Sequence, residues 1–379
     1  LKDNTDQWRL KPNRYLHNLL SSEDPGTLGH YLREENLVNS LTVSVAPDFY
    51  GADGILRINL DLTEQGVKQQ DRIIAASLSY LNLIKTQGVT EDYFQEFRRL
   101  AQNNFDNWSA PQPLQQAVHL SRQLRELPPA YINSANYTYE RFDPEAINAV
   151  LNQLTPETMR VWHINQQVET DTEIPFYEGG YRITAITDRE RETWQQEAKK
   201  IFLKLPQKNT LVSGKRQEVE HNILDMTQLV KEQGLEVWFQ HAEYHQDGKG
   251  YLHFVLNNNL GLNNERDLVL GNLLNQVLQE QNLSLIDRAG RAGINISLET
   301  TQGNMQNLTL SGPADNHQTL AKAVFDSIAN LEITQKAFDK ARDSFRERIA
   351  NEDKQPPSQQ IWKFMARTTH PYDWNQQKI

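Results

Sequence analysis

Apolar positions along the chain fall into two stretches with the same succession of periods. Leu16, Leu19 and Leu20 recur at helical spacing, and a Pro25-Gly26 break separates them from a second short helix carrying Leu28, Tyr31 and Leu32. Leu41-Thr-Val-Ser-Val45 and Ile55 to Leu62 then alternate apolar and polar positions, as half-buried strands do, with Gly51 and Gly54 between them. Ile74, Leu78 and Leu81 predict a helix that Gly88 stops, and Thr90 caps a further helix through Tyr93, Phe94 and Phe97. Asp143-Pro144-Glu145 starts another, with Ile147, Val150, Leu151 and Leu154 as its buried face, and Met159 to Ile164 reads as a strand.

From Leu205 to Ile223 the pattern fades into polar residues, which reads as a linker. Beyond it, Leu235 to Tyr244 and Tyr251 to Leu256 flank Asp247-Gly248, a strong hairpin signal, and Leu268, Leu270, Leu273, Leu274 and Leu278 mark a long amphipathic helix. The second stretch then answers the first in order. Ile294 to Leu298 matches Val38 to Val45, Met305 to Leu310 matches Ile55 to Leu60, and Leu320 to Ile328 matches the helix after Asp71. Thr334 with Phe338 matches Thr90 with Phe94. The offset is roughly 250 residues, too long for a solenoid. The fold class expected is α+β, as two homologous domains, each an antiparallel-rich sheet covered by helices. They should occupy 1–204 and 231–379, joined by a linker over 205–230.

Length and composition agree with two cores: 379 residues, 38% hydrophobic and 23% charged, describe an ordinary globular chain. A net charge of -10 repels phosphate backbones, so nucleic acid is not an expected partner. The absence of cysteine removes disulfides, thiolate metal sites and thiol nucleophiles together. The longest apolar stretch, Ile73 to Ile84, is interrupted by Ser and Asn and falls short of the roughly 20 residues a membrane span needs, so no membrane partner is expected. The opening Leu1-Lys-Asp-Asn-Thr-Asp has neither an initiating Met nor a signal pattern, and the end at Gln377-Lys378-Ile379 is polar; the chain reads as cut from a longer one.

Candidate chemistry is sparse. His241-Ala-Glu243-Tyr-His245 would put two imidazoles and a carboxylate on one face of a strand. Helical metallopeptidase motifs instead project two His from one helix face with a Glu beside one of them to polarise water, so ordinary strand-edge histidines are the better reading here. His17, His30, His119, His163, His253 and His370 stand alone, and no phosphate loop or nucleophile elbow occurs. Charge runs such as Arg33-Glu34-Glu35 and Asp188-Arg-Glu-Arg-Glu192 read as solvated faces. The residues alone thus point to two related domains without a self-contained active site, and no catalytic or metal-binding residue is assigned.

Ser22-Glu-Asp-Pro25-Gly26-Thr-Leu28, continuing through Leu37-Val38-Asn39-Ser40-Leu41 to Asn59-Leu-Asp61-Leu62-Thr63, resembles the second domain of the insulinase and pitrilysin family of zinc metallopeptidases. The resemblance continues through Ser79 to Leu83, Tyr139 to Pro144, Leu154-Thr155-Pro156 and Leu205-Pro206, then follows the third domain from Leu235-Glu-Val-Trp238 to about Phe345, closer to the bacterial branch. It implies an interior piece of a zinc-dependent endopeptidase that degrades peptides in a closed chamber. The zinc motif and the remaining catalytic residues would lie in first and fourth domains outside this chain, which itself would need no cofactor and be inactive alone. It further implies a periplasmic or secreted home, and a substrate exosite at Leu41, Thr42, Val43, Ser44 and Val45 that takes peptides by strand addition. The chain departs from the family there, with Val43 and Ser44 in place of a Gly pair and Ser21 in place of a Gly. A non-catalytic scaffold or peptide-binding member of the same superfamily is the alternative.

Overall fold

A computed structural model describes residues 1–47, 53–108, 112–211, 226–240, 248–256, 265–301, 305–351 and 354–369. In chain order the helices and strands are α1 (Pro12–Leu20), α2 (Leu28–Glu34), β1 (Val38–Ala46), β2 (Ile55–Leu62), α3 (Glu64–Lys68), α4 (Gln70–Leu83), α5 (Glu91–Asp106), α6 (Pro113–Glu126) and α7 (Pro144–Leu151). There follow β3 (Thr172–Glu173), β4 (Gly180–Tyr181), α8 (Asp188–Ala198), β5 (Thr227–Glu232), β6 (Leu235–Phe239) and β7 (Lys249–Leu256). The last are α9 (Glu265–Gln281), α10 (Leu283–Arg291), β8 (Asn295–Thr301), β9 (Met305–Pro313), α11 (His317–Ala329), α12 (Gln335–Ala350) and α13 (Pro357–Thr369). The fold is mixed, of helices and small antiparallel sheets, as the alternating periods predict.

The chain divides into two compact units, one of Leu1–Phe97 with Tyr139–Lys208, the other of Arg98–Thr138 with Asn209–Ile379. The first unit is built on the antiparallel pair β1–β2, whose inward Leu41 and Val43 meet a core of Tyr15, Leu16, Leu19, Leu20, Leu28, Leu32 and Leu37. Tyr15 packs edge-on against Phe97 at 5.3 Å, and its hydroxyl donates to Gly88 O at 2.6 Å while accepting from Thr90 N at 3.0 Å. One buried phenol thus satisfies backbone groups at the joint between α4 and α5 that would otherwise be costly to bury. Trp194 of α8 donates to Asp71 of α4 at 2.7 Å. The buried face of α4 is Ile73, Ala76 and Tyr80, with Ile84 continuing it, and Ile74, Leu78 and Leu81 are half-buried. The apolar stripe expected from the sequence is therefore displaced by one position, because Tyr80 points inward and donates to Leu19 O at 3.1 Å.

The second unit is built on the sheet β7–β9–β8, antiparallel throughout. Ile294, Ile296, Leu298, Leu308, Leu310, Leu320 and Val324 form its main core, and Leu273, Val277, Ala341 and Phe345 a second cluster. Asn103, Asn104 and Asn209 donate side-chain amides to the carbonyls of Ala292, Arg291 and Arg288, closing the C-terminal end of α10.

Helix, helix, strand, strand, helix, helix is the common succession of α1, α2, β1, β2, α4, α5 and of α9, α10, β8, β9, α11, α12. The two helix-to-strand joints are also built alike. Leu37 N bonds Leu32 O past Asn36 at φ 55°, and Ile294 N bonds Ala289 O past Gly293 at φ 81°. Each is a left-handed C-terminal cap that delivers a fully buried aliphatic residue to the start of the strand. Thr90 and Thr334 also take the same place, accepting from Tyr93 N and Ala337 N at the starts of α5 and α12.

Two local expectations differ from the structure. β6 pairs with β5 and β7 with β9, so the hairpin expected across Asp247-Gly248 is not formed among the described residues; Asp247 itself lies outside them. The segment from Met159 to Ile164 is irregular, with Trp162 and Ile164 exposed, because no strand among the described residues offers it a ladder.

Candidate functional site

The exosite residues expected from the sequence, Leu41 to Val45, lie in the middle of β1. Among the described residues β1 pairs only with β2, so its other side is a sheet edge there. The register sets Ser40 opposite Asp61, Thr42 opposite Asn59 and Ser44 opposite Arg57 on the solvent face, while Leu41 and Val43 turn to the core. Asn59 Nδ2 reaches Thr42 Oγ1 at 3.5 Å across the pair. Among the described residues no side chain hydrogen-bonds the backbone of Leu41 through Val45. Such an edge carries backbone donors and acceptors open to an added strand.

Behind this edge stands a buried ion pair. Arg33 of α2 donates through Nε to Glu23 Oε2 at 3.2 Å and through Nη2 to Glu23 Oε1, and its Nη1 donates to Asn39 O at 2.6 Å. Both side chains are about a tenth exposed. The expectation of a solvated Arg33-Glu34-Glu35 run thus fails at Arg33. The overlooked signal was Gly29 one turn before it, which leaves room beside α2 for the carboxylate of Glu23.

The corresponding edge in the second unit is β8, and there α9 lies along the strand. Asn275 Nδ2 and Gln279 Nε2 both donate to Leu298 O, at 3.3 and 2.7 Å. α9 runs for 17 residues, whereas α1 ends after nine and gives way to the turn of Ser22 to Thr27.

Among the described residues no group of three or more His, Asp or Glu side chains is placed to hold a metal ion. The His241, Glu243 and His245 trio and His370 lie outside the described residues, as does the part 212–225 of the expected 205–230 linker. His253 Nδ1 lies 2.8 Å from Thr309 Oγ1 on the outer face of the sheet. His317, which the sequence reading did not single out, is buried at the start of α11. No helix among these residues is long and apolar enough to cross a membrane.

Residues 105–379 match the family description "Middle or third domain of peptidase_M16". The chain belongs to the M16 peptidase family. Residues 2–101 match "Peptidase M16 inactive domain", so the two descriptions meet inside α5, close to where the compact units divide. Protease 3 of Salmonella typhimurium is 26% identical over 363 residues, which is 93% of this chain and 37% of that protein. Insulin-degrading enzyme of Homo sapiens is 25% identical over 379 residues, 98% of this chain and 37% of that protein. The crystal structure of pitrilysin superposes with a TM-score of 0.72 at 21% identity, covering 100% of this chain and 40% of that one, and so shows the same fold. This M16 chain spans a little over a third of the length of the relatives it matches.

Proposed function

We propose that this chain is the interior part of a zinc-dependent M16 metalloendopeptidase, forming wall of a closed chamber and anchoring extended peptides on β1. The observation that carries the reading is the edge of Leu41 to Val45, unpaired among the described residues, in a chain whose relatives are proteases more than twice its length. A strand-addition site recognises peptide backbone first and side chains second, so the change from a Gly pair to Val43 and Ser44 is compatible with it.

In this reading, which rests on the family resemblance, the zinc and the water it activates belong to another part of the parent polypeptide. Trp162, Ile164, Phe176, Ile183 and Phe202 of the first unit are exposed and so accessible for contact with such further parts. The domain limits 1–204 and 231–379 remain part of this reading, as does a periplasmic or secreted home. Metal analysis and cleavage of a quenched fluorogenic peptide, run on this chain and on its longer parent, test it. Zinc and chelator-sensitive cleavage should appear in the parent alone; their appearance in this chain would overturn the assignment and return attention to His241 and His245. A parent without either would favour the scaffold or peptide-binding alternative.

A further inference from the structure

The β1–β2 ladder contains an irregularity that β8–β9 lacks. Val38 pairs with Leu62 and Ser40 with Asp61, leaving Asn39 as an extra residue, whereas β8 pairs with β9 in unbroken register. The bulge has a large consequence. Side chains alternate with a period of two, so a slip of one residue would turn Leu41 and Val43 outward and Ser40, Thr42 and Ser44 inward. The carbonyl of the bulge residue is the one that Arg33 Nη1 holds, and Arg33 is held in turn by Glu23. Glu23 sits in a turn fixed by Thr27, whose hydroxyl donates to Ser22 O and Asp24 O at 2.7 and 2.8 Å.

Burying two charges costs about as much as their attraction returns, and an apolar pair of similar volume is often as good. The pair also demands glycine at position 29 inside α2, where an added Cβ would lie 2.8 Å from Glu23 Oε2. What the arrangement does provide is one fixed geometry linking the turn, α2 and the start of β1.

Resting on the reading of β1 as a peptide anchor, we infer that Arg33 is a positioning residue: by pinning the Asn39 bulge it fixes which atoms the open edge presents. The side chains of an added strand would then stand alternately beside Ser40, Thr42 and Ser44 and beside Leu41 and Val43. The occupant matching that edge is an extended peptide alternating polar and aliphatic residues.

Arg33→Lys separates positioning from charge, since Lys keeps a cation opposite Glu23 but cannot reach Glu23 and Asn39 O together in the planar fork of a guanidinium. The probe is a carboxyfluorescein-labelled Thr-Val-Thr-Val-Thr peptide, followed by fluorescence anisotropy, with hydrogen exchange of residues 40–45 and thermal unfolding measured alongside. Wild-type chain should bind the probe, and R33K should bind about tenfold more weakly, the factor expected for one charge-assisted hydrogen bond. R33K should also exchange faster along β1. Equal binding by R33K and wild type overturns the inference. Failure of the wild type itself to bind instead removes the peptide-anchor reading on which the inference stands. If R33K does not fold, the double variant Glu23→Leu with Arg33→Met, apolar and of similar volume, takes its place. It should fold and bind weakly, and wild-type affinity in that variant overturns the inference equally.

Discussion

β1 and β8 occupy the same place in the two repeats, follow the same kind of left-handed cap and turn aliphatic residues inward, Leu41 and Val43 in one and Ile296 and Leu298 in the other, yet their free edges are treated in opposite ways. Asn275 and Gln279 of α9 occupy the carbonyl of Leu298 on β8, while the described backbone of Leu41 to Val45 has no such cover. Open edges invite pairing with other chains and are ordinarily blunted. A repeated scaffold therefore fixes where an edge lies, and the helix beside it decides whether that edge is available. In the first unit the helix ends early, and the space along the chain is given to a turn held by Glu23, Asp24 and Thr27.

The largest effect that would break this comparison comes from proline on β1. In an antiparallel pair, neighbouring residues point their N–H groups alternately to the partner strand and away from it. Of Thr42→Pro and Val43→Pro, one removes a ladder bond to β2 and should cost on the order of 3 kcal/mol. The other removes only an outward N–H, keeps the ladder to β2, and should abolish binding of the Thr-Val-Thr-Val-Thr probe. If both variants keep wild-type binding, β1 is not the docking edge.

A smaller effect sharpens the comparison from the other side. Asn275→Ala with Gln279→Ala should cost about 1 kcal/mol for each hydrogen bond lost from Leu298 O. In a background where proline already blocks β1, the same pair should give the chain a new capacity to bind the probe through β8. No gain of binding would mean that something other than these two amides closes that edge.

Much of the scaffold was legible in the sequence because burial imposes a period. Leu41 and Val43 alternate with Thr42 and Ser44, Asp143-Pro144 opens α7, and Thr334 stands at the start of α12 as Thr90 does at α5, as read. The repeat was visible for the same reason. The chemistry of the edges was not, because it depends on partners distant in sequence or of unremarkable type. Arg33 looked like one more helix-surface charge until Gly29 and Glu23 were seen around it, and no local pattern marks Asn275 and Gln279 as a cover for Leu298. Met159 to Ile164 failed for a related reason: composition suits a strand, but a strand needs a neighbour, which composition does not supply.

The smallest expected effect distinguishes the second unit by its response to acid. His317 opens α11 with its ring against β7, so close that a Cβ on Gly250 would lie 3.3 Å from its Nδ1, and Nε2 finds no protein partner among the described residues. Burial pulls the imidazole below its ordinary value of 6.5, with Asp315 opposing the shift. Because the folded state takes up the proton less readily than the unfolded chain, this contribution to stability is complete above about pH 6.5. It is lost as pH falls through that value toward the lower folded one. Unfolding of the second unit, read by hydrogen exchange along β7 and the first turn of α11, should therefore become easier between pH 7.5 and 5.5, by less than about 1 kcal/mol. His317→Gln should remove that share of the slope, because the amide fills similar space without titrating. An unchanged slope in H317Q would assign the acid response to carboxylates elsewhere and leave the two units alike in this respect.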